Sequence, residues 1–176
     1  MVVMPPLASP PAVSRKPPAG PPGIVVGVDG SDASMWALDR AFTEATALVL
    51  PLHVVAVVNP APGGYSPGMA DLVEESVERL LQGMSEVTVR ALDTVQARHP
   101  AAAAPSLHVV LGSPVEILLA TSNLHHTVVV GARGNGGFAR LLLGSVATAL
   151  VHHGGCPVLV VPARNTGTRP SVHLPD

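Results

Sequence analysis

Five short apolar runs, each parted from the next by enough chain to build a helix, constrain this sequence more than any other feature. They are Ile24 to Val28, Leu52 to Val58, Leu107 to Leu111, Thr127 to Val130 and Pro157 to Val161. None of them alternates strictly between apolar and polar residues. A strand solvated on one face alternates, whereas a strand covered on both faces reads as a near-continuous run of Val, Ile and Leu. Parallel neighbours also need a long crossover, usually a helix. The intervening segments meet that need. Asp29-Gly30-Ser31 breaks the first run, and Ser31 or Asp32 can cap a helix reaching about Leu48. Ala70 to His99 carries Leu72, Val73, Val77, Leu80, Leu81, Met84, Val87 and Leu92 at mostly helical spacing. Ser113-Pro114-Val115-Glu116 has the form of a capping box with proline at the first helical position, and its helix runs to about Asn123. Leu142 to His152 supplies the last helix. The order βαβαβαβαβ predicts an α/β fold: a single doubly wound domain with a five-stranded parallel sheet and helices on both faces.

Composition narrows the function classes. Apolar residues make up 47% of 176 residues but aromatics only 2%, so Val, Leu and Ala must fill the core. The net charge of −2 leaves no basic footprint for nucleic acid. Charged residues are 12%, roughly half the usual share. So few surface charges give little defence against self-association, which favours an oligomer. The single Cys156 rules out an intrachain disulfide and suits a reducing compartment. No apolar run reaches the roughly 18–20 residues of a membrane helix. The expectation is a cytoplasmic protein with no membrane and no nucleic-acid partner. Residues 1–22 hold four Pro-Pro pairs and lack a secretory layout, because Arg15-Lys16 comes late and prolines interrupt any apolar stretch. This arm is expected to be extended or disordered. Residues 23–162 would form the domain, and 163–176 a flexible tail.

The chemistry concentrates after the fourth run. Gly131-Ala132-Arg133-Gly134 follows it directly, and Gly144-Ser145 opens the last helix, giving the pattern G-x2-G-x9-G-[ST]. Glycines between a strand and a helix permit positive φ and close backbone approach to a ligand. A helix start offers unpaired N–H groups and a positive dipole end. Together these make a phosphate site. In parallel sheets ligands bind beyond the carboxyl ends of the strands, at the topological switch point. Asp29 ends the first strand and Gly131 the fourth, so they share one crevice if those strands are neighbours. Two other phosphate signatures are absent. The only lysine, Lys16, lies in the arm, so there is no P-loop. No G-x-G-x-x-G follows the first strand, which argues against a dinucleotide enzyme.

The glycine pattern resembles the nucleotide-binding signature of the universal stress protein family, in its ATP-binding branch. The likeness continues through Gly136-Gly137-Phe138-Ala139-Arg140-Leu141-Leu142-Leu143 and Cys156 to Val161, and spans about Gly23 to Pro162. It implies an adenine nucleotide alpha-hydrolase-like sheet of order 3-2-1-4-5, with ATP and Mg²⁺ as cofactors. By the same resemblance, Val28 and Asp29 would lie by the ribose and the Mg-bound phosphates. Val54 would read adenine through its backbone. Val130, Gly131 and Gly134 would surround ribose and phosphates, and Gly144, Ser145 and Val146 would cradle the triphosphate. The family's last strand builds a homodimer, so the 157–161 segment is expected to do so here. Ala132 departs from the more usual serine.

Plainer roles stand beside these. Asp29 could only cap a turn, Gly131 and Gly134 could only shape it, and Ser145 could only cap its helix. Arg133 and Arg140 could be phosphate partners or solvated loop charges. Arg90 and Arg98 read as a solvated helix face, and Cys156 as a buried structural thiol. His125-His126 and His152-His153 point in different directions and lack companion ligands, so zinc is not expected. The functional expectation is a nucleotide-dependent switch or partner-binding regulator, with at most slow hydrolysis or autophosphorylation. An ATPase or nucleotidyl-transfer enzyme of related fold, and a nucleotide-free interaction module, remain the alternatives.

Overall fold

The computed structural model describes the backbone of residues 12–14 and 70–74, and backbone and side chains of residues 18, 20–59, 75–134 and 142–163. Its elements are β1 (Ala12–Ser14), β2 (Ile24–Val28), α1 (Asp32–Leu48), β3 (Leu52–Val58), α2 (Ala70–Gln96), β4 (Ser106–Leu111), α3 (Pro114–Ser122), β5 (Thr127–Gly131), α4 (Ser145–His153) and β6 (Val158–Val161). The strands form one sheet in the order β1-β4-β3-β2-β5-β6, and every pair is parallel. The five strands read from the sequence therefore stand in the order 3-2-1-4-5. The register sets Val26 beside both Val54 and Val129, so β2 lies at the centre.

β1 is an addition that the sequence did not suggest. Part of the arm expected to be extended or disordered is extended and paired, with Ala12 opposite His108 and Ser14 opposite Val110. Ala12-Val13-Ser14 lies between Pro11 and Pro17, so it retains the N–H donors that a ladder needs. Without it, β4 would present an open edge.

The apolar runs bury on both faces, as their continuity requires. On one face Ile24, Val26, Val54 and Val129 pack beneath Leu38, Phe42, Leu92 and Val95 of α1 and α2. On the other, Val25, Val55, Val110, Val128 and Val130 pack against Ile117 and Leu118 of α3 and Ala147 and Leu150 of α4. Burying a side chain of this size contributes about 1.5–3 kcal/mol, which gives a core of aliphatic residues enough driving force with few aromatics. Beyond the end of α2, Arg98 reaches Asp39 of α1 at 3.4 Å, so it is more than a solvated helix charge. His99 joins the same carboxylate at 3.0 Å and stacks on Phe42.

Two helix starts differ from expectation. Ser113 occupies the cap position of α3, but its side chain makes no cap hydrogen bond, so the capping box is not formed and Pro114 alone marks the start. α4 begins at Ser145 rather than Leu142, with Gly144 as an extended cap. The Gly144 N–H donates to the Ala132 carbonyl at 2.8 Å, which holds the helix start against the loop after β5.

Candidate functional site

β2 and β5 are neighbours, so the ends of both strands open into one crevice. Asp29 follows β2. Gly30 then takes φ of 82°, a left-handed turn that favours glycine. This turn swings Ser31 back, and Oδ1 of Asp29 accepts from the Ser31 N–H at 3.0 Å and from its hydroxyl at 2.6 Å. Ser31 Oγ in turn accepts from the Ser34 N–H at 3.2 Å and caps α1. Asp29 is thus fixed by the turn, and the same turn starts the first helix.

A cavity of about 500 Å³ lies over these strand ends. Val28, Asp29, Val130, Gly131, Arg133, Gly134, Gly144, Ser145 and Val146 all line it. Val54 does not. It is fully buried beneath α1 and α2, in the middle of β3, with β2 paired on one side and β4 on the other. Its backbone groups lie within the ladders on both sides. Val55 and Val57 line the cavity instead. Position was the signal to use: Val57 is next to last in its strand, where ligands meet a parallel sheet. The sequence reading also missed Gly27, Ser34, Pro114, Leu118 and Ala147, which complete the lining. Pro114 was read only as a helix start and the others carry no motif; they come together only when α1, α3 and α4 pack on the sheet.

The glycines act by closeness rather than by left-handed backbone. Among the described residues, positive φ at glycine occurs at Gly30 and Gly112 and not at the three motif glycines. A β-carbon at Gly131 would meet Ala33 backbone and side chain at 2.8–2.9 Å, so this glycine lets β5 seat against α1. A β-carbon at Gly134 would run into the Asp29 carboxylate. At Gly144 the nearest atoms are 3.5–3.7 Å away, ordinary contact distances. The protein therefore has room for a methyl there, and glycine leaves that room to the cavity. Ser145 is the exposed first residue of α4 and not its cap, so its hydroxyl does not serve the capping role. Helix starts leave several N–H groups without intrahelical partners, and they carry the positive dipole end.

The lining divides into two regions. Val55, Val57, Pro114 and Leu118 are apolar; Asp29, Arg133, Ser145 and the glycine backbone are polar. Arg133 is exposed beside the loop. Arg140, with Gly136, Gly137, Phe138 and Ala139, lies outside the described residues, as do residues 60–69. Of the other residues noted in the sequence, His152 and His153 are exposed at the end of α4. Cys156 is half-buried rather than buried, and desolvation raises its thiol pKa against an opposing hydrogen bond from the Val128 backbone. Among the described residues, no group of three or more His, Cys, Asp or Glu side chains is placed to hold a metal.

The universal stress protein family model matches residues 23–162. The chain belongs to that family. Universal stress protein Rv1996 of Mycobacterium tuberculosis is 35% identical over 165 residues, covering 87% of this chain and 51% of its own length. The chain thus spans about half the length of the curated relatives it matches. Among solved structures, the universal stress protein UspA from Lactobacillus plantarum aligns with a TM-score of 0.67 at 21% identity, covering 81% of this chain and 99% of its own. A universal stress protein solved in complex with cAMP aligns with a TM-score of 0.53 at 25% identity, covering 81% and 98%. The sheet order and the paired helical layers of this family member agree with that fold.

Proposed function

We propose that this universal stress protein binds ATP with Mg²⁺ in the cavity above β2 and β5 and works as a nucleotide-dependent switch or partner-binding regulator. One observation carries the reading: Asp29, the Gly131 to Gly134 loop and the start of α4 converge on a single cavity. Its volume of about 500 Å³ lies in the range of small-molecule sites. The apolar region suits a flat base, and the glycine and helix-start region suits phosphates. The relative in complex with cAMP supports an adenine nucleotide. Mg²⁺ keeps most of its waters and takes one or two carboxylates beside phosphate oxygens. Asp29, with Oδ1 held by Ser31, is the carboxylate that the cavity offers for that role.

The lining favours a switch over rapid turnover. Its ionisable side chains among the described residues are Asp29 and Arg133. Fast phosphoryl transfer calls for a positioned base and a cationic clamp together. A true ATPase would turn over at about 1 per second or more and lose that rate in Asp29→Ala. The output surface is proposed to include β6, paired on one side by β5 and partly exposed along its length, as the edge of a homodimer.

Calorimetric titration with Mg–ATP tests the reading, with Gly144→Ala in parallel. Saturable binding that the variant weakens is expected, because its methyl enters the cavity and not the protein. If neither protein binds and the purified sample carries no nucleotide, the interaction-module reading replaces this one.

A further inference from the structure

At the opposite end of the sheet from the nucleotide cavity, three histidines meet beneath the proline-rich segment. His53 is the second residue of β3, His108 stands in β4, and His125 precedes β5. The rings of His53 and His125 are 4.7 Å apart, and those of His53 and His108 are 5.8 Å apart. His53 is 4% exposed and His125 is 7% exposed. Pro18, Gly20 and Pro21 close over them. Pro18 is buried, and a β-carbon on Gly20 would meet the His53 ring at 2.9 Å.

The hydrogen bonds accommodate neutral rings. A carbonyl can only accept, so Nε2–H of His53 donates to the Pro21 carbonyl at 3.0 Å. Nδ1 of a neutral His53 is then an acceptor, and the Ser106 hydroxyl donates to it at 2.8 Å. The Ser106 oxygen accepts from His108 Nε2–H at 3.1 Å. His125 Nε2–H faces the Pro18 carbonyl at 3.4 Å, and its Nδ1 is buried with no partner. With neutral rings the Ser106 hydroxyl donates to His53 at 2.8 Å rather than to the Leu52 carbonyl at 3.5 Å, and each of these contacts has one donor and one acceptor. A second proton on His53 would set a buried charge beside two more histidines.

We propose that His53 and His108, packed with His125, form an acid-released latch: neutral rings hold Pro18, Gly20 and Pro21 against the sheet, and protonation of His53 and His108 frees those residues and the β1 pairing that covers the β4 edge. The groups facing the cluster agree with this. From β3 comes His53, from β4 Ser106 and His108, and from the turn before β5 His125. The segment itself carries no ionisable side chain. His126 is exposed and bonds Thr127. Among the described residues, the charges acting on His53 and His108 are those of the other histidines, with no compensating carboxylate. Burial first, and then neighbouring histidines, push both pKa values below the ordinary value of about 6.5, though the Pro21 carbonyl partly opposes this for His53. The sign follows. A lowered pKa in the docked state means that release takes up protons. Docking is therefore at full strength above about pH 6.5 and weakens as pH falls through and below that value, by about tenfold per pH unit for each proton taken up.

Amide hydrogen exchange on the full chain between about pH 7.5 and 5.5 tests this, after correction for intrinsic exchange chemistry. Protection of residues 12–14 should fall about tenfold or more across that range, while β2 and β5 keep theirs. Unchanged protection, or simultaneous loss in β2, would overturn the latch. His53→Gln with His108→Gln should remove the pH step; a step that persists places the titration elsewhere. Gly20→Ala adds no titrating group and should reduce arm protection already at pH 7.5. Normal protection in that variant would also sink the proposal.

Discussion

Gly134 and Asp29 share one space: a β-carbon at position 134 would collide with Oδ2 of the Asp29 carboxylate. The second motif glycine is therefore required by the protein itself, as well as by any ligand. Gly144, ten residues on in the same motif, is in ordinary contact and at a φ of −73° that any residue adopts.

This contrast separates two substitutions that the sequence treats alike. Gly144→Ala should leave stability within about 0.5 kcal/mol and weaken Mg–ATP binding by about tenfold or more, or about 1.4 kcal/mol. Gly134→Ala should cost about 1–3 kcal/mol, because the carboxylate or the loop must move. Urea unfolding beside calorimetry measures both effects. Equal losses of stability would contradict the geometry.

Ser31 couples a helix start to the site. Its hydroxyl accepts from the Ser34 N–H and donates to Asp29. Ser31→Ala should destabilise the fold by about 1 kcal/mol and also weaken nucleotide binding, since Asp29 loses a tether. Ser31→Thr keeps the hydroxyl and should restore most of both. Unfolding curves for the two variants, with matched titrations, decide whether the coupling exists.

Cys156 should react slowly. Burial raises its thiol pKa, so less thiolate is present at any pH near 8 than for a free cysteine, and the thiolate is the nucleophile. Alkylation of the native protein by iodoacetamide at pH 8 should lag behind that of the urea-unfolded chain at the same pH. A native rate equal to or above the unfolded one would show that desolvation does not control this thiol.

The β6 edge predicts an assembly. Val158 to Val161 are all partly exposed, whereas Val128 and Val129 of neighbouring β5 are fully buried. Charge on an apolar edge discourages pairing. Val160→Lys should shift sedimentation from dimer to monomer. A wild-type chain that sediments as a monomer at all concentrations removes β6 as the interface.

Much of the fold was legible because it rests on local pattern. Continuous apolar runs such as Ile24 to Val28 announced strands covered on two faces, and the Asp29-Gly30-Ser31 break placed the first helix within a residue. The helix end at Gln96 came three residues early, near the His99-Pro100 step, where proline disfavours helix in the residue before it. Nine of the ten proposed site residues reached the cavity because strand ends in a parallel sheet are adjacent by topology. Val54 did not, because a resemblance between short apolar runs carries no register: two or three residues along a strand separate mid-sheet from rim.

The sequence by itself determined the strand and helix order, the glycine loop and its meeting with Asp29, since these follow from period, turn chemistry and strand polarity. Only the tertiary structure decided why each glycine is there: Gly131 for Ala33, Gly134 for Asp29 and Gly144 for open space. It alone also brought His53, His108 and His125 together under Pro18 and Pro21. Those contacts join residues as much as 107 positions apart, and no local pattern encodes a neighbour that arrives from another strand. Steric fit and desolvation are properties of the packed chain, and they exist only once the sheet has closed.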